Sequence, residues 1–456
     1  MHETRRLAEF VADTSYADLP PQVVDAIKID ILDDLAAGFA GARTPWAEMV
    51  ADLTRDTAAG PCSLFARSWT TSPSYAALTN GVMIGGFECD HPYSPGSCHP
   101  SAAVFPAVLA IGERERLDGR SFIAAVALGY EALCRIGAAA TRAVEDERGF
   151  HGPGTNAAFG GAAGAGKALG LSADRLVNAL GIAGSHGGGL LEFFRDGSMT
   201  KRLHIGRGAQ MGLESALLAA RGFTGPATVL EGDRGFLRVY SPSPRPELLC
   251  EALGERYLLL DMGLKAYPCH ISFHAVVDAV QRFRASQQYE PQQIERVRIE
   301  AAGRMLEERH RNPRPTTLLG AQYSLPWSAA LALCRDVSDP TSWSEGDLAD
   351  PEISRLAELM ELRESEARFG SAGGPVAEIT VVVAGKTLAF AAADWKGAPT
   401  DPYTYGDMAG KFARYAAPYV SPSRIDEIVN RVARLENETD AAMLAEAIRS
   451  DEGPFA

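Results

Sequence analysis

The stretch Ala377–Asp394, AEITVVVAGKTLAFAAAD, decides the fold class, because it breaks a chain otherwise patterned for helices. Its β-branched residues and its alternation read as strands, with Gly385-Lys386 as the turn of a hairpin. Upstream, IERVRIEAAG at Ile294–Gly303 carries the same enrichment. Between them TTLLGAQYSLPWSAALALC, Thr316–Cys334, reads as helix. Residues 265–402 are therefore expected to form a smaller α+β domain.

Outward from this segment the pattern is helical. PQVVDAIKIDILDDLAAGFAGA, from Pro21, repeats apolar residues at three- and four-residue spacing, with Pro suited to a first helical turn. DGRSFIAAVALGYEALCRIGAAATRAV from Asp118 and SADRLVNALGIAGSH from Ser172 open on residues that cap helices. The abundant Ala and Gly on these faces imply closely packed helices. Residues 1–264 are expected to form one large all-helical domain, completed by the helical tail 403–456. The fold class is mainly α with a smaller α+β domain, without internal repeats or low-complexity linkers.

The chain has 456 residues, 46% hydrophobic and 22% charged, the balance of a soluble globular protein. A net charge of −14 argues against nucleic acid and anionic membrane as partners. The N-terminus, MHETRRLAEFVADTSY, lacks the apolar core of a signal peptide. No later segment approaches the roughly 20 apolar residues that cross a bilayer, so a cytoplasmic protein is expected. Seven scattered cysteines without a CxxC pair read as reduced thiols.

Several motifs fail on inspection. GAAGAGKA from Gly161 imitates a P-loop, but Ala168 stands where Ser or Thr must meet Mg²⁺ and no strand precedes it. GPGTNA from Gly152 imitates a dinucleotide fingerprint with the same defect. A closely packed helix is the better reading of both. His270 and His274 have a spacing that on a helix would share a face and could ligate zinc, but no third ligand stands out. Cys89, Cys98 and Cys269 match none of the common iron–sulfur spacings.

Four stretches mix titratable chemistry with Gly: FECDHPYSPGSCHPS from Phe87, RGFHGPGTNAAFGG from Arg148, GSMTKRLHIGRGAQMGLESALLA from Gly197, and LKAYPCHISFHAVVDAV from Leu264. Lysines and histidines beside carboxylates at loop–helix junctions suit a small polyanion with an acid/base pair attached. Taken together, these stretches resemble the MmgE/PrpD family, whose activities include 2-methylcitrate dehydration, cis-aconitate decarboxylation and iminodisuccinate epimerisation. The resemblance runs over most of the chain and is densest from Asn80 to Leu237. It implies a large helical domain, an α+β lid domain and a homodimer.

On the family pattern His99, His151, Asp90 and Lys201 are the expected catalytic residues. Lys265, Glu88, His91, Tyr323, Arg202 and His270 are expected to bind substrate. His91 stands where the family usually has a second acidic residue. The resemblance implies a lyase that needs no cofactor or metal and acts on a small di- or tricarboxylic acid, with 2-methylcitrate dehydratase as the nearest type. An epimerase or decarboxylase of a related polycarboxylate is the alternative, and a non-catalytic metabolite-binding relative a further one.

Overall fold

A computed structural model describes residues 2–365 and 376–450 of the chain. The chain separates into two compact units: Met1–Phe193, Ser198–Gly263 and Tyr403–Ala456 form the first, Phe194–Gly197 and Leu264–Pro402 the second. The architecture is mostly helical with one small α+β unit, the fold class expected from the sequence pattern. Leu264, which the sequence reading ended the large domain on, goes with the second unit.

In the first unit the helices run where the apolar spacing placed them. Pro21–Gly41 starts on its proline. Gly119–Ala140 is capped by Asp118, whose Oδ1 accepts from the Ser121 amide at 2.9 Å. Ser172 precedes its helix without a side-chain capping bond. The stretch GPGTNAAFGGAAGAGKA forms one helix, Gly152–Ala168, and the lysine of its P-loop imitation, Lys167, donates to the Ala12 carbonyl at 2.8 Å. Its Ala and Gly residues serve close packing. A Cβ on Gly208 would lie 2.3 Å from the Cβ of Ala157, and one on Gly212 would lie 2.5 Å from the Ala158 carbonyl oxygen. The helix Thr200–Ala220 is therefore held against Gly152–Ala168 at a distance that only glycine allows.

Two features depart from the sequence reading of this region. A short antiparallel ribbon, Cys62–Ser63 with Thr70–Thr71, interrupts the helices. The helix Gly119–Ala140 is, by length and composition, apolar enough to cross a bilayer, but it is wholly buried in the unit. It is a core helix, and its apolar residues meet protein on every side.

The second unit holds a four-stranded sheet. The strand Ile294–Ala301 pairs parallel with Met360–Glu364 and antiparallel with Ala377–Val383, which pairs antiparallel with Lys386–Ala392. Burial alternates along Ala377–Val383, the period-two signal of the sequence. Helix His274–Ser286 packs on the hairpin, with Phe283 stacked on Phe390 at 4.8 Å.

The hairpin turns at Ala384-Gly385, one residue earlier than expected. Val383 pairs with Lys386, and both loop residues have positive φ, 47° and 73°, the backbone a two-residue loop needs to match the strand twist. The Thr316–Cys334 stretch is two helices, Leu318–Gln322 and Leu325–Cys334, rather than one. The Ser324 side chain caps the second by accepting from the Trp327 amide, and Pro326 cannot continue a preceding helix.

Candidate active site

The loop before the helix Pro100–Glu115 is built by two residues in left-handed backbone, Glu88 and Ser97, and one tight turn. Glu88 has φ 58°, a left-handed conformation that costs a residue with a side chain about 1–2 kcal/mol. That kink sends four successive side chains to four different helices. Glu88 forms an ion pair with Lys201, and both side chains are only 2% exposed. The Cys89 thiol donates to the Tyr415 hydroxyl at 3.8 Å. Asp90 Oδ2 lies 2.6 Å from His99 Nδ1, and His91 Nδ1 lies 3.0 Å from Asp33 Oδ2. Tyr93 and Cys98 then bridge across the turn Ser94–Gly96, which folds the chain back and delivers His99 to Asp90.

His99 stands immediately before Pro100, at the start of its helix. Its side chain keeps 14% exposure against 1% for Asp90. Donation of the Nδ1 proton to the carboxylate leaves Nε2 as the position that exchanges protons with a ligand.

His151 occupies the same place on a second helix, directly before Gly152–Ala168. Its Nδ1 is 3.2 Å from Nδ1 of His204, so one ring must donate and the other accept. Burial, and then the charge of Lys201, hold the His204 pKa below its usual value. His204 was missed in the sequence, although it follows Lys201 by three residues on one helix and therefore shares its face. The two helix starts are neighbours, because the Asn156 amide donates to the Ser97 carbonyl at 3.4 Å. Arg202 places its guanidinium 3.6 Å from the centre of the Trp46 ring and donates from Nε to the Gly86 carbonyl. It braces the loop just ahead of Glu88.

The second unit gathers a different group. The His270 ring lies 4.6 Å from His310 and 4.9 Å from Tyr323. The His270 amide donates to the Gln322 carbonyl, which fixes the YPCH segment against the end of helix Leu318–Gln322. Lys265 is buried in the same unit. His310, the other residue that sequence reading missed, donates from Nδ1 to the Arg304 carbonyl at 2.8 Å. His270 and His274 do not share a helix face: His270 precedes the turn Ile271–Phe273, and His274 begins the helix after it. Among the described residues no group of three or more His, Cys, Asp or Glu side chains is placed to hold a metal ion.

Behind the first loop lies a polar cluster that the sequence did not announce. Asp30, Asp33 and Asp34 are buried on the helix Pro21–Gly41. Lys411, from the tail helix Tyr405–Ala416, forms an ion pair with Asp33, and the Tyr130 hydroxyl donates to Asp34. Burial pushes Asp30 up to about 8 and Asp34 up to about 7. Burial also opposes the charge on Asp33, but Lys411 and His91 outweigh it and hold that carboxyl below its usual range. Burial disfavours the His91 cation as well, yet Asp34, the bond to Asp33 and the charge of Asp30 raise it to about 9. His91 is 0% exposed. Its Nδ1 is spent on Asp33 inside the first unit.

A large helical unit, a small α+β unit and a histidine set at a helix start beside a carboxylate define the class: a two-unit, mainly helical protein with a candidate acid/base pair. Residues 5–249 match the MmgE/PrpD N-terminal domain and residues 267–436 the MmgE/PrpD C-terminal domain, so the chain belongs to the MmgE/PrpD family. It is 28% identical to cis-aconitate decarboxylase of Homo sapiens, over 99% of this chain and 95% of that protein. Cis-aconitate decarboxylase of Aspergillus terreus is 27% identical, over 98% of this chain and 95% of the relative. That of Mus musculus is 26% identical, over 98% and 93%.

Proposed function

We propose that the protein is a lyase that removes carbon dioxide from a small unsaturated tricarboxylate of the cis-aconitate type. The observation that carries this reading is the Asp90–His99 pair, a partly exposed imidazole at a helix start, oriented by a carboxylate 2.6 Å away. The names of relatives matched end to end supply the substrate class. A carboxylate attached one carbon from a double bond can leave as CO₂. Its bonding electrons then form a new double bond, and the far carbon of the old one takes a proton. His99 Nε2 is the proposed donor of that proton, with Asp90 fixing the ring. The His151–His204 pair is a proton reservoir beside it. Lys201 is assigned to a substrate carboxylate, where a compact ammonium suits an anion. Glu88, paired with Lys201, limits the charge of that lysine until an anionic ligand competes for it.

The test is incubation with cis-aconitate, 2-methylcitrate and iminodisuccinate in D₂O, followed by ¹H NMR. Loss of CO₂ from cis-aconitate, with one deuterium in the product, is expected. Elimination of water from 2-methylcitrate in its place would move the assignment to a dehydratase. Unchanged spectra for all three would end the catalytic reading.

A further inference from the structure

The mechanism above uses Asp90 and His99 but gives no task to His91, the residue next in sequence. We propose that His91 is a positioning residue for the Asp90–His99 pair: its imidazole, locked onto Asp33 inside the first unit, fixes the backbone that aims the Asp90 carboxylate at His99. Glu88 to His91 end on Lys201, Tyr415, His99 and Asp33, which belong to four helices. Asp90 is thus held between residues tethered on either side. His91 shares a peptide bond with Asp90, so any movement of the His91 anchor is transmitted within one residue.

The groups facing His91 explain why it stays put. From Pro21–Gly41 come Asp33 at 3.0 Å, Asp34 at 3.8 Å, and Asp30. From Gly119–Ala140 comes Tyr130, with its ring 5.6 Å away and its hydroxyl on Asp34, and Cys134 close to Asp30. Tyr405–Ala416 supplies Lys411, paired with Asp33, with Tyr403 and Tyr415 near that ammonium. Ser101 of Pro100–Glu115 lies beside Asp34. Nε2 of His91 makes no hydrogen bond among the described residues, so the field of Asp30 and Asp34 rather than a second bond retains the ring's charge. Lys411 keeps Asp33 ionised, which keeps the acceptor for His91 at full strength.

Two substitutions and one titration test this. His91→Leu removes the donor to Asp33, whereas His91→Asn places an amide near the Nδ1 position and restores it. The full chain, ¹³Cε1-labelled at its nine histidines, is titrated by NMR, with the His99 resonance identified from a His99→Gln sample. In wild type the His99 signal should show a second step as His91 loses its proton near pH 9. In His91→Leu that step should vanish and the His99 resonance itself should shift, because its Asp90 partner is displaced. Turnover should fall about 10–100-fold in His91→Leu with KM within about threefold, since misplacement by about 1 Å costs on that order. His91→Asn should recover most of it.

The kinetic arm rests on the proton-transfer reading and the resonance arm does not. A protein that turns over none of the substrates still answers the question through His99. Where His91→Leu fails to fold, a His91→Asn variant whose His99 resonance and turnover depart from wild type overturns the proposal. So does an unmoved His99 resonance in His91→Leu, a loss expressed mainly in KM, or a His91→Asn variant no better than His91→Leu.

Discussion

His91 in the first unit and His310 in the second are both fully buried, yet their surroundings drive them to opposite charge states. Burial opposes the cation in both. Around His91 three aspartates reverse that effect and the ring is held charged up to about pH 9. Around His310 burial is joined by Arg309 and Arg304, and the pKa falls to about 3, leaving a neutral ring that donates to the Arg304 carbonyl. The charge brought by neighbouring elements, more than the degree of burial, sets what a histidine does here. The first unit has an ionic interior behind its loop; the second has an aromatic cluster of His270, His310, Phe273 and Tyr323.

The largest effect should separate proton transfer from carboxylate binding within the first unit. His99→Ala is expected to lower turnover about 10²–10⁴-fold with little change in KM, the usual worth of a general acid or base. Lys201→Ala should instead raise KM as well, because a carboxylate is held both before and during the chemical step. Steady-state kinetics with the substrate found by NMR checks both, and equal KM effects would erase the distinction.

A comparable effect is expected on stability. Asp33→Asn leaves Lys411 and His91 without their shared anion and should destabilise the protein by about 3–5 kcal/mol, as broken buried ion pairs do. His310→Leu removes one neutral hydrogen bond to an Arg304 carbonyl that still accepts from the Glu307 amide, which should cost about 0.5–1.5 kcal/mol. Urea denaturation of both variants measures the difference.

The pH dependence should have opposite signs in the two units. His91, Asp34 and Asp30 all have folded pKa values raised above their unfolded ones. Their contribution is complete at low pH and is lost as pH rises through about 7 to 9. The His310 value is depressed, so its contribution is present above the unfolded value and lost as pH falls from there through about 3. Each unit difference in pKa carries about 1.4 kcal/mol. Hydrogen exchange by mass spectrometry should show residues 21–41 and 405–416 loosening on the alkaline side and residues 303–325 on the acid side. The same sign in both would contradict the assignment of charge.

The smallest effect concerns the second unit alone. Ala384 holds φ 47° in the hairpin loop. Ala384→Asn supplies the Asn-Gly pair that such loops favour and should stabilise by about 0.5–1 kcal/mol. Thermal unfolding measures it, and a lower midpoint would mean that the loop is not strained.

Much of this was legible in the chain itself. Period-two alternation marked Ala377–Val383 and Lys386–Ala392, and apolar spacing marked the long helices, because local geometry imposes those periods on any buried face. The titratable stretches named His99, His151, Lys201 and Lys265, and the family match over residues 5–249 and 267–436 followed from the same segments. The one-residue error in the hairpin turn and the unbroken helix read across Ser324 came from turn and cap geometry, which depends on backbone angles that composition specifies weakly.

What the sequence alone determined was the succession of elements, the family and the residue types that carry the chemistry. Tertiary structure alone decided which of those residues work together. Lys411 reaches Asp33 across 378 positions, and His204 meets His151 across 53. His91 stands beside Asp90 in the motif, but the three aspartates that set its charge come from a remote helix. A charge's effect depends on distance and desolvation in space, and neither quantity is written in the order of the residues.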